Sequence, residues 1–556
     1  MNVNKLYPHI IGFEFICNSS SIGYDRDNNR SIIITEMTEK SLQINYARSF
    51  SRNVITNIIN LAVTSLVGLL LVPFFLDTLG SVAYALIPLA TSLAGYVTFF
   101  IDILNTSVSR YLTIELQQGD TKKANETYST SYAVILLLVL ICIPIVIAVS
   151  VAAPIIFETG MIGTSEVFIF FALILGSILV STLKSNFMAI LFSYNRLDLR
   201  NVVTISQTVL QTGIIIVLFM LLTPSLYFVG IAYMAAAVVS VIIASLLAKR
   251  MKSSLHFTLA SFNKSRLKEL SSLSFLCCFD RFGCILQSQI ALIVVNIYFG
   301  AVMQAEYSLV LTWGSFLIAL SGIVTATASP KIYSLAGLHN DKAIIDFVSV
   351  FTKFTGLLLA LPIALLCIFA PQIMTLWVGH EYASLTPLVW ILIPAYYFTI
   401  TLSGQVPIAI SHLRMQFPAV INIVFGVLYL IMALAIPRMF DTGYYGVAIA
   451  WVIMIALHHG LVSPVFYSIV AKGKPFAFVK KSAIGFLAMV TLLFVGTIYT
   501  SLVSIDSLFG LVISGGMISI VYLLLVVKVF VSKKEMNLAK SCLPEFVQNM
   551  KIVRWL

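Results

Sequence analysis

Residues 129–157 read STSYAVILLLVLICIPIVIAVSVAAPIIF, a run that contains no charged side chain. A hydrocarbon core about 30 Å thick needs about 20 apolar residues in helical form, so this stretch predicts a transmembrane helix. The rest of the chain repeats the pattern, because 59% of its 556 residues are hydrophobic and only 10% are charged. Soluble domains contain roughly 45–50% and 25%, respectively. We therefore expect an all-α integral membrane protein, and the composition excludes a series of soluble domains.

About fourteen apolar segments follow the polar first fifty residues of the chain. They are predicted at 53–76, 82–104, 129–157, 161–183, 201–222, 226–248, 272–298, 303–327, 344–369, 383–405, 416–436, 443–469, 482–502 and 508–531. An even number of spans places both termini on the same side of the membrane.

Basic residues are distributed unequally between alternate connections, and this asymmetry predicts the orientation of the spans. Lysine and arginine accumulate in cytoplasmic loops. The basic connections hold Lys122, Lys123, Lys184, Arg196, Arg200, Lys249, Arg250, Lys252, Lys264, Arg266, Lys268, Lys331, Lys342, Arg414, Lys472, Lys474, Lys480 and Lys481. The other connections are short, and Arg438 is their one basic residue. We therefore expect a multi-pass protein of the cytoplasmic membrane with both termini in the cytoplasm.

The chain also contains an internal repeat. Leu79-Gly80 corresponds to Phe299-Gly300, the stretch 193–196 corresponds to 411–414, and the paired landmarks lie 216–223 residues apart. Segments 1–6 and 7–12 are therefore predicted to be two pseudo-symmetric six-helix lobes of the same orientation, followed by two C-terminal helices. Such parallel repeats are typical of transporters whose halves rock around a site near the midplane. The predicted organisation is a polar cytoplasmic extension at 1–50, an N-lobe at 51–250, a C-lobe at 251–475, two helices within 476–531 and a cytoplasmic tail at 532–556.

Three short motifs in the first part of this repeat resemble those of a known family. They are Leu79-Gly80-Ser-Val-Ala-Tyr84, Gly95-Tyr96 followed by Asp102, and Ser109-Arg110-Tyr111. They are similar to motifs of the polysaccharide repeat-unit exporters, the Wzx-type flippases of the multidrug/oligosaccharidyl-lipid/polysaccharide (MOP) superfamily. The fourteen-helix layout with its six-plus-six repeat resembles that family along residues 45–535.

This resemblance implies a secondary transporter that acts as a flippase. It implies transfer of a polyprenyl-diphosphate-linked oligosaccharide from the cytoplasmic to the outer leaflet by alternating access of two lobes, for surface polysaccharide or glycan assembly. The implied partners are membrane lipid, the lipid-linked oligosaccharide, a coupling cation (proton or sodium), and glycosyltransferases and a polymerase of the same pathway. The first helix departs from its relatives: residues 53–76 contain neither the arginine of lipid II flippases nor the acidic residue of many drug exporters.

Polar residues form stripes at helical spacing along the predicted helices 1, 2 and 8. In the first helix they recur every three or four residues and so share one face. Because lipid does not tolerate such a face, it points either at a neighbouring helix, where it makes hydrogen bonds, or at a cavity that meets sugar hydroxyls. We expect a cavity lined by helices 1, 2, 7 and 8. Its inward-facing candidates are Asn57, Asn60, Thr98, Asp102, Gln287 and Ser315.

Helix 7 contains the adjacent charges Asp280 and Arg281. Neighbouring residues on a helix do not face each other, so each of these charges needs a partner elsewhere. Arg281 lies about 13 Å deep if the span begins near Ser272, and at the water boundary if 272–279 is an interfacial helix. We predict that Arg281 contacts the substrate diphosphate, because a guanidinium fork suits paired oxygens.

Other charged residues have alternative roles. Arg110 either anchors the membrane edge or guides the diphosphate at the cytoplasmic entrance. Asp102 and Asp280 are candidates for holding the arginines in place or for carrying the coupling cation. Lys353 is expected to snorkel or to pair with an acidic residue, and His458 and His459 are expected to pack, with proton transfer as the alternative.

Several function classes are disfavoured by the sequence. It contains no P-loop, zinc motif or nucleophile elbow, so we expect no enzyme activity, no cofactor, no metal site and no nucleic-acid partner. One alternative is a cation-coupled multidrug exporter of the same superfamily, which predicts twelve helices and a carboxylate embedded in the first. A membrane glycosyltransferase or ligase is the alternative from another class. Such enzymes usually need large outer loops, and the outer connections here are short.

Overall fold

The computed structural model describes the backbone of residues 29–251, 255–258, 261–503, 505, 507–526 and 528. The first 28 residues of the predicted extension and the predicted tail at 532–556 lie outside this part. The helices are α1 (Asn29–Leu79), α2 (Ser81–Gln117), α3 (Thr121–Ile156), α4 (Thr164–Leu183), α5 (Ser185–Ser193), α6 (Leu197–Leu221), α7 (Leu226–Arg250), α8 (Lys264–Phe299), α9 (Ala301–Gly337), α10 (Asp341–Ile368), α11 (Ala370–Val378), α12 (Thr386–Ser403), α13 (Val406–Ser411), α14 (Gln416–Phe440), α15 (Tyr445–Leu457), α16 (Ser463–Val470), α17 (Ala477–Leu502) and α18 (Leu508–Leu525).

Within the described residues, thirteen helical segments are long and apolar enough to cross a membrane. The remaining predicted segment, 303–327, lies within α9, whose 37 residues extend over about 56 Å. The prediction of an all-α membrane protein with about fourteen transmembrane helices is confirmed.

The internal repeat is visible in the backbone, because left-handed residues recur at a nearly constant separation. Such a conformation is unfavourable for most side chains, so its recurrence at matching turns is not a trivial consequence of helical structure. The pairs are Gly80 (φ 81°) with Gly300 (φ 95°), Gly119 (71°) with His339 (52°), Gly160 (58°) with Gly379 (117°), and Asn195 (53°) with Leu413 (55°). Their separations fall within the range that the sequence predicts.

Helix packing repeats in the same way. In the N-lobe (α1–α7), α1 packs on α6, α3 on α4, and α4 on α7; in the C-lobe (α8–α16), α8 packs on α14, α10 on α12, and α12 on α15. Helix α17 packs extensively on α10, so the last two helices extend the C-lobe. The predicted pair of pseudo-symmetric lobes followed by two C-terminal helices is therefore confirmed.

The helices alternate in direction and give the molecule two ends. We call the end that holds the connections α2–α3, α5–α6, α7–α8, α9–α10, α13–α14 and α16–α17 the basic end, and the other the opposite end. The lobes meet where α2 packs on α8 and α9. At the basic end this seam is bridged by an ion pair between Arg266 Nη2 and Glu115 Oε1 at 3.3 Å.

Three contacts close the seam at the opposite end. Glu158, at the end of α3, accepts a hydrogen bond from the amide N–H of Ala301, and its own N–H donates to Asn296 Oδ1 at 3.0 Å. The indole N–H of Trp377 donates to the Leu69 carbonyl at 2.7 Å. A third hydrogen bond joins Ser308 on α9 to the hydroxyl of Tyr84 on α2 at 3.4 Å.

The connection from α7 to α8 is held along the first turns of α3. The amide N–H of His256 donates to Asn125 Oδ1 at 2.8 Å, and that of Asn263 donates to Thr130 Oγ1 at 3.0 Å. The side chain of Asn263 also donates to Glu126 at 3.0 Å and accepts from Ser265 as the cap of α8. This connection therefore belongs structurally to the N-lobe.

Candidate substrate-binding site

The polar stripe of α1 is used mainly to attach this helix to its neighbours in the N-lobe. Asn53 donates to Asn195 Oδ1 at 3.2 Å. The side chain of Asn57 accepts a hydrogen bond from Asn201 on α6 at 2.6 Å, although Asn57 itself stays exposed. Farther along the stripe, Asn60 Oδ1 is buried and has no hydrogen-bond partner among the described residues. Interhelical bonding thus accounts for Asn57, whereas Asn60 keeps a free acceptor.

The other predicted cavity residues of α2 and α9 occupy different surroundings. Thr98 is half-buried and lines a cavity inside the N-lobe. Ser315 is exposed on α9. The side chains of Asp102 and Arg110 lie outside the described residues, although α2 carries both positions in helical backbone.

Gln287 lies in a polar network inside the C-lobe. Its amide donates to the Asn422 backbone carbonyl at 2.9 Å, and its Oε1 accepts from His458 Nδ1 at 3.2 Å. The indole N–H of Trp451 donates to the backbone carbonyl of Gln287 at 3.1 Å. Asn422 also donates to Asp280 Oδ1 at 2.7 Å, so the network runs from Asp280 to His458.

The two adjacent histidines stand in a π-helical turn, His458–Val462, which joins α15 to α16. Phe425 stacks on the His458 ring at 4.6 Å, and His459 Nδ1 lies 3.1 Å from Thr399 Oγ1. π-Helical turns often mark functional positions in helices. Both rings nevertheless have defined packing and hydrogen-bond partners.

Close packing brings this network together at the contact between α8 and α14. Gly283 is buried, and a Cβ atom there would lie 2.3 Å from the carbonyl carbon of Asn422. Only a glycine lets the two backbones approach this closely. The approach places Asn422 between Asp280 and Gln287.

Arg281 is exposed and lies three residues into the candidate span Phe279–Phe299. Helix α8 is continuous from Lys264 to Phe299, so its backbone contains no break at 272–279. The 18 residues between Arg281 and Phe299 cover about 27 Å, which is close to the full hydrocarbon thickness of roughly 30 Å. This geometry places the guanidinium near the basic-end boundary, close to the seam.

One basic residue was placed wrongly by the sequence analysis. Lys184 was assigned to a connection, but it stands in a helix break between α4 and α5, within the candidate span Thr164–Ser193. Its Nζ donates to Gln207 Oε1 on α6 and lies 3.4 Å from Ser240 Oγ on α7. The apolar stretch SNFMAILFS that follows it was the available signal, because this stretch continues the span.

Lys184 borders the same cavity as Thr98. The cavity measures about 300 Å³ and lies between α2, α4, α5 and α6. Arg200 also lines it, with its guanidinium carbon 5.5 Å from the centroid of the Phe192 ring. The remaining lining residues are Ser109, Ile178, Ser181, Thr182, Ser185, Met188 and Ala189.

Comparisons with known proteins agree with this architecture. The profile of the family described as "Polysaccharide biosynthesis protein" matches residues 50–334, so the chain belongs to that family. The uncharacterized membrane protein EpsK of Bacillus subtilis (strain 168) is 23% identical over 501 residues, which cover 88% of this chain and 97% of EpsK.

Solved structures with similar folds include three transporters. The lipid II flippase MurJ in an inward closed conformation is 14% identical, with a TM-score of 0.61 and coverage of 84% of this chain and 97% of its own. An inward-facing multidrug resistance MATE family transporter of the MOP superfamily is 13% identical, with a TM-score of 0.54 and coverage of 79% and 98%. A MOP superfamily transporter from Pyrococcus furiosus Vc1 (DSM3638) is 15% identical, with a TM-score of 0.53 and coverage of 81% and 96%.

Identities this low show the fold alone. Together with the family membership, that fold confirms the resemblance to the Wzx-type flippases. The chain is a multi-pass membrane transporter of this superfamily rather than an enzyme.

Proposed function

We propose that this protein is a flippase that moves a polyprenyl-diphosphate-linked oligosaccharide from the cytoplasmic to the outer leaflet of the cytoplasmic membrane. The basic end faces the cytoplasm in this proposal, because lysine and arginine concentrate there. Membership of the polysaccharide biosynthesis family supports a glycan substrate. The fold shared with the lipid II flippase MurJ supports a lipid-linked one.

The observation that carries the proposal is the exposed guanidinium of Arg281 within the candidate span Phe279–Phe299. A diphosphate that crosses a region of low dielectric needs compensating charge. The planar fork of an arginine can bind two phosphate oxygens at once. Arg281 therefore contacts the diphosphate in this proposal, and Arg110 guides it at the entrance.

Asp280 has a separate role in the proposed mechanism. Its carboxylate accepts from Asn422 and is linked through Gln287 to His458, so it belongs to the interior of the C-lobe. Such a carboxylate can take up a proton or a sodium ion. We assign the coupling cation to this network, with Asp102 as a second candidate.

Alternating access requires a seam that can close at either end. Glu158, Asn296 and Ala301 join the lobes at the opposite end in this structure. Rocking of the lobes would break these contacts and release the sugar on the outer side. The linked oligosaccharide would then pass through the seam between α2, α8 and α9.

The proposal is tested by reconstituting the protein in liposomes with fluorescent undecaprenyl-diphosphate oligosaccharide and measuring leaflet exchange. We expect Arg281→Ala to reduce exchange at least about tenfold and Arg281→Lys to retain part of it, because the charge survives without the fork. Arg414→Ala is the matched control, since Arg414 is exposed at the basic end outside the seam helices.

Normal exchange by Arg281→Ala would show that this arginine only anchors α8. A protein that exports a cationic dye and leaves the lipid-linked sugar in place would instead be a multidrug exporter. Transfer of sugar to an acceptor without leaflet exchange would identify a glycosyltransferase or ligase.

The orientation has its own test in intact cells. On a background without native cysteines, His380→Cys at the opposite end should react with a membrane-impermeant thiol reagent. His256→Cys in the α7–α8 connection should react only after permeabilisation, since its position is exposed but cytoplasmic in the proposal. The reverse pattern would invert the topology.

A further inference from the structure

The side chain of Lys184 points toward the membrane interior. Its Cα lies 20 residues from the start of α4, about 30 Å from the opposite end, whereas Gln207 and Ser240 lie 14 residues, or about 21 Å, from the corresponding ends of α6 and α7. The ammonium group therefore lies deeper than its own backbone. A lysine that snorkels would point the other way, toward the basic end.

The partners of this ammonium group among the described residues are neutral. Gln207 accepts its hydrogen bond and Ser240 lies within reach, and both are uncharged. Gln207 in turn donates to Ser181 Oγ at 3.4 Å. A charge in a low-dielectric interior is costly unless an opposite charge compensates it, so the protein groups described here leave the site electrostatically incomplete.

The described carboxylates of the N-lobe are engaged elsewhere. Asp198, the nearest along the chain, pairs with Arg52 at 3.2 Å and with Arg196 at 2.9 Å. Glu115 pairs with Arg266 across the seam. Glu158 bonds to Ala301 at the opposite end.

The cavity beside Lys184 has the chemistry of an anion site. Lysine contributes three donors, Arg200 adds a second positive charge, and hydroxyl groups line the wall from α2, α4 and α5. Its volume of about 300 Å³ is at the low end for ligand pockets, roughly 300–1,000 Å³. That space suits one small charged group and excludes an oligosaccharide.

We propose that this cavity is a second anion-binding site, which takes an oxyanion of the phosphate or carboxylate type from the transported substrate. The proposal rests on the proposed function, because it assigns the site to that substrate. Two sources share this chemistry: the diphosphate linker and an acidic sugar. The site lies on the N-lobe side of α2, while Arg281 stands on α8, across the seam.

The competing explanation is an ion pair within the protein. Asp102 shares a face of α2 with Thr98 and Ser109, at spacings of four and seven residues, and its side chain lies outside the described residues. If Asp102 permanently neutralised Lys184, the site would have no vacancy for an external anion. The two explanations differ in anion binding.

The test is isothermal titration calorimetry on the full chain in nanodiscs, carried out in the Arg281→Ala background so that the proposed diphosphate contact does not contribute. Inorganic pyrophosphate represents the linker and glucuronate represents an acidic sugar. We expect one of the two to bind, and Lys184→Met to weaken that binding by at least about tenfold, the loss of one charge-assisted contact. Lys249→Met is the matched control, since Lys249 is exposed in the last turn of α7.

A second variant covers the case in which Lys184→Met fails to fold. Arg200→Gln should weaken the same binding while Arg250→Gln leaves it unchanged. Lys184→Arg should keep most of the affinity, because the positive charge remains. Binding confined to pyrophosphate assigns the site to the linker, and binding confined to glucuronate assigns it to the sugar.

Absence of binding for both anions, or equal binding by Lys184→Met and its control, would overturn the proposal in favour of the internal ion pair. The measurement does not depend on export. Anion binding in a protein that fails to exchange lipid-linked sugar would refute the flippase and leave the site standing.

Discussion

The two lobes contain the same helix break and fill it differently. In the N-lobe the break between α4 and α5 carries Lys184 and opens onto a cavity. In the C-lobe the break between α12 and α13 carries Gly404, where a Cβ atom would lie 2.7 Å from the Phe351 ring. The adjoining Gln405 is buried and donates to the Thr401 carbonyl at 3.3 Å. One copy of the break thus surrounds a cation with space, and the other is packed with an aromatic ring.

This difference shows which positions of the repeat carry the fold and which carry chemistry. The left-handed turns are shared by both copies, because the chain must reverse direction at the same places. The charged positions are not shared. The N-lobe holds a lysine at the break, whereas the C-lobe holds a polar network that begins at Asp280. We therefore expect the lobes to differ in ligand while moving as similar bodies.

The largest expected effect compares the first helix of each lobe. Gly283→Leu should push α8 away from α14, because even a Cβ atom there lies 2.3 Å from the Asn422 carbonyl carbon. We expect a loss of more than about 4 kcal/mol in stability. Gly68→Leu in α1 is the control: a Cβ atom there has nothing within 4 Å. Thermal melts of detergent-purified protein, followed by size-exclusion chromatography, would measure both, and similar melting of the two variants would show that α8 is no more tightly packed than α1.

The next effect compares the asparagines that join the first helix of each lobe to its neighbour. Asn422→Ala removes the hydrogen bond to the Asp280 carboxylate, which should cost about 1–3 kcal/mol for a partly buried charge. Asn201→Ala should cost less, because Asn57 is exposed and water can replace the lost bond. Melting temperatures at neutral pH compare the two. A larger loss from Asn201→Ala would contradict the assignment of the polar interior to the C-lobe.

A smaller effect compares what each lobe contributes to closing the opposite end. Glu158→Ala removes a charge-assisted hydrogen bond to Ala301 and should open the seam more than Trp377→Phe, which removes one neutral hydrogen bond. We expect Trp377→Phe to shift the closed population roughly threefold to tenfold. Distance measurements between spin labels at Ser165→Cys and Glu381→Cys would report the opening.

The ring of Trp377 also packs edge-on against Trp313, at 5.2 Å between centroids, and phenylalanine should retain part of that contact. A greater opening from Trp377→Phe than from Glu158→Ala would place the main closure in the C-lobe.

The smallest effect concerns equivalent helix caps. Asp120 accepts from the N–H of Lys123, and Asn340 accepts from that of Ala343, 220 residues later. The side chain of Lys123 holds the pKa of the Asp120 carboxyl below its ordinary value. Its contribution is therefore present above the unfolded carboxyl pKa and is lost as pH falls through the folded one.

We expect Asn340→Ala to cost about 1 kcal/mol at every pH. The difference between wild type and Asp120→Ala should shrink in acid, because protonation weakens that cap. Melting curves from neutral pH to about pH 4 would detect the contrast. A pH-independent Asp120 effect would remove the ionic part of the cap.

The fold was largely predictable because its signals are local. Apolar runs such as 129–157 define spans, and Gly80 and Gly300 mark corresponding turns in both copies. Lys184 was misassigned because a lysine after an apolar run resembles a loop residue, and the sequence does not show that α5 resumes the span. The pairing of Asn57 with Asn201 could not be predicted either. The spacing within α1 identifies a polar face, but the helix that faces it depends on tertiary packing.

The attachment of the α7–α8 connection to α3 has a mechanical consequence. Because His256 and Asn263 are bonded to α3, rotation of α8 must take place about a fulcrum near Lys264 rather than along a loose tether. The 36 residues of α8 form a lever arm about 54 Å long, so a tilt of about 10° would sweep its far end through about 9 Å. That sweep exceeds the reach of any hydrogen bond, so a small angular step beside Lys264 is sufficient to part Glu158 from Ala301 at the other end of the lever.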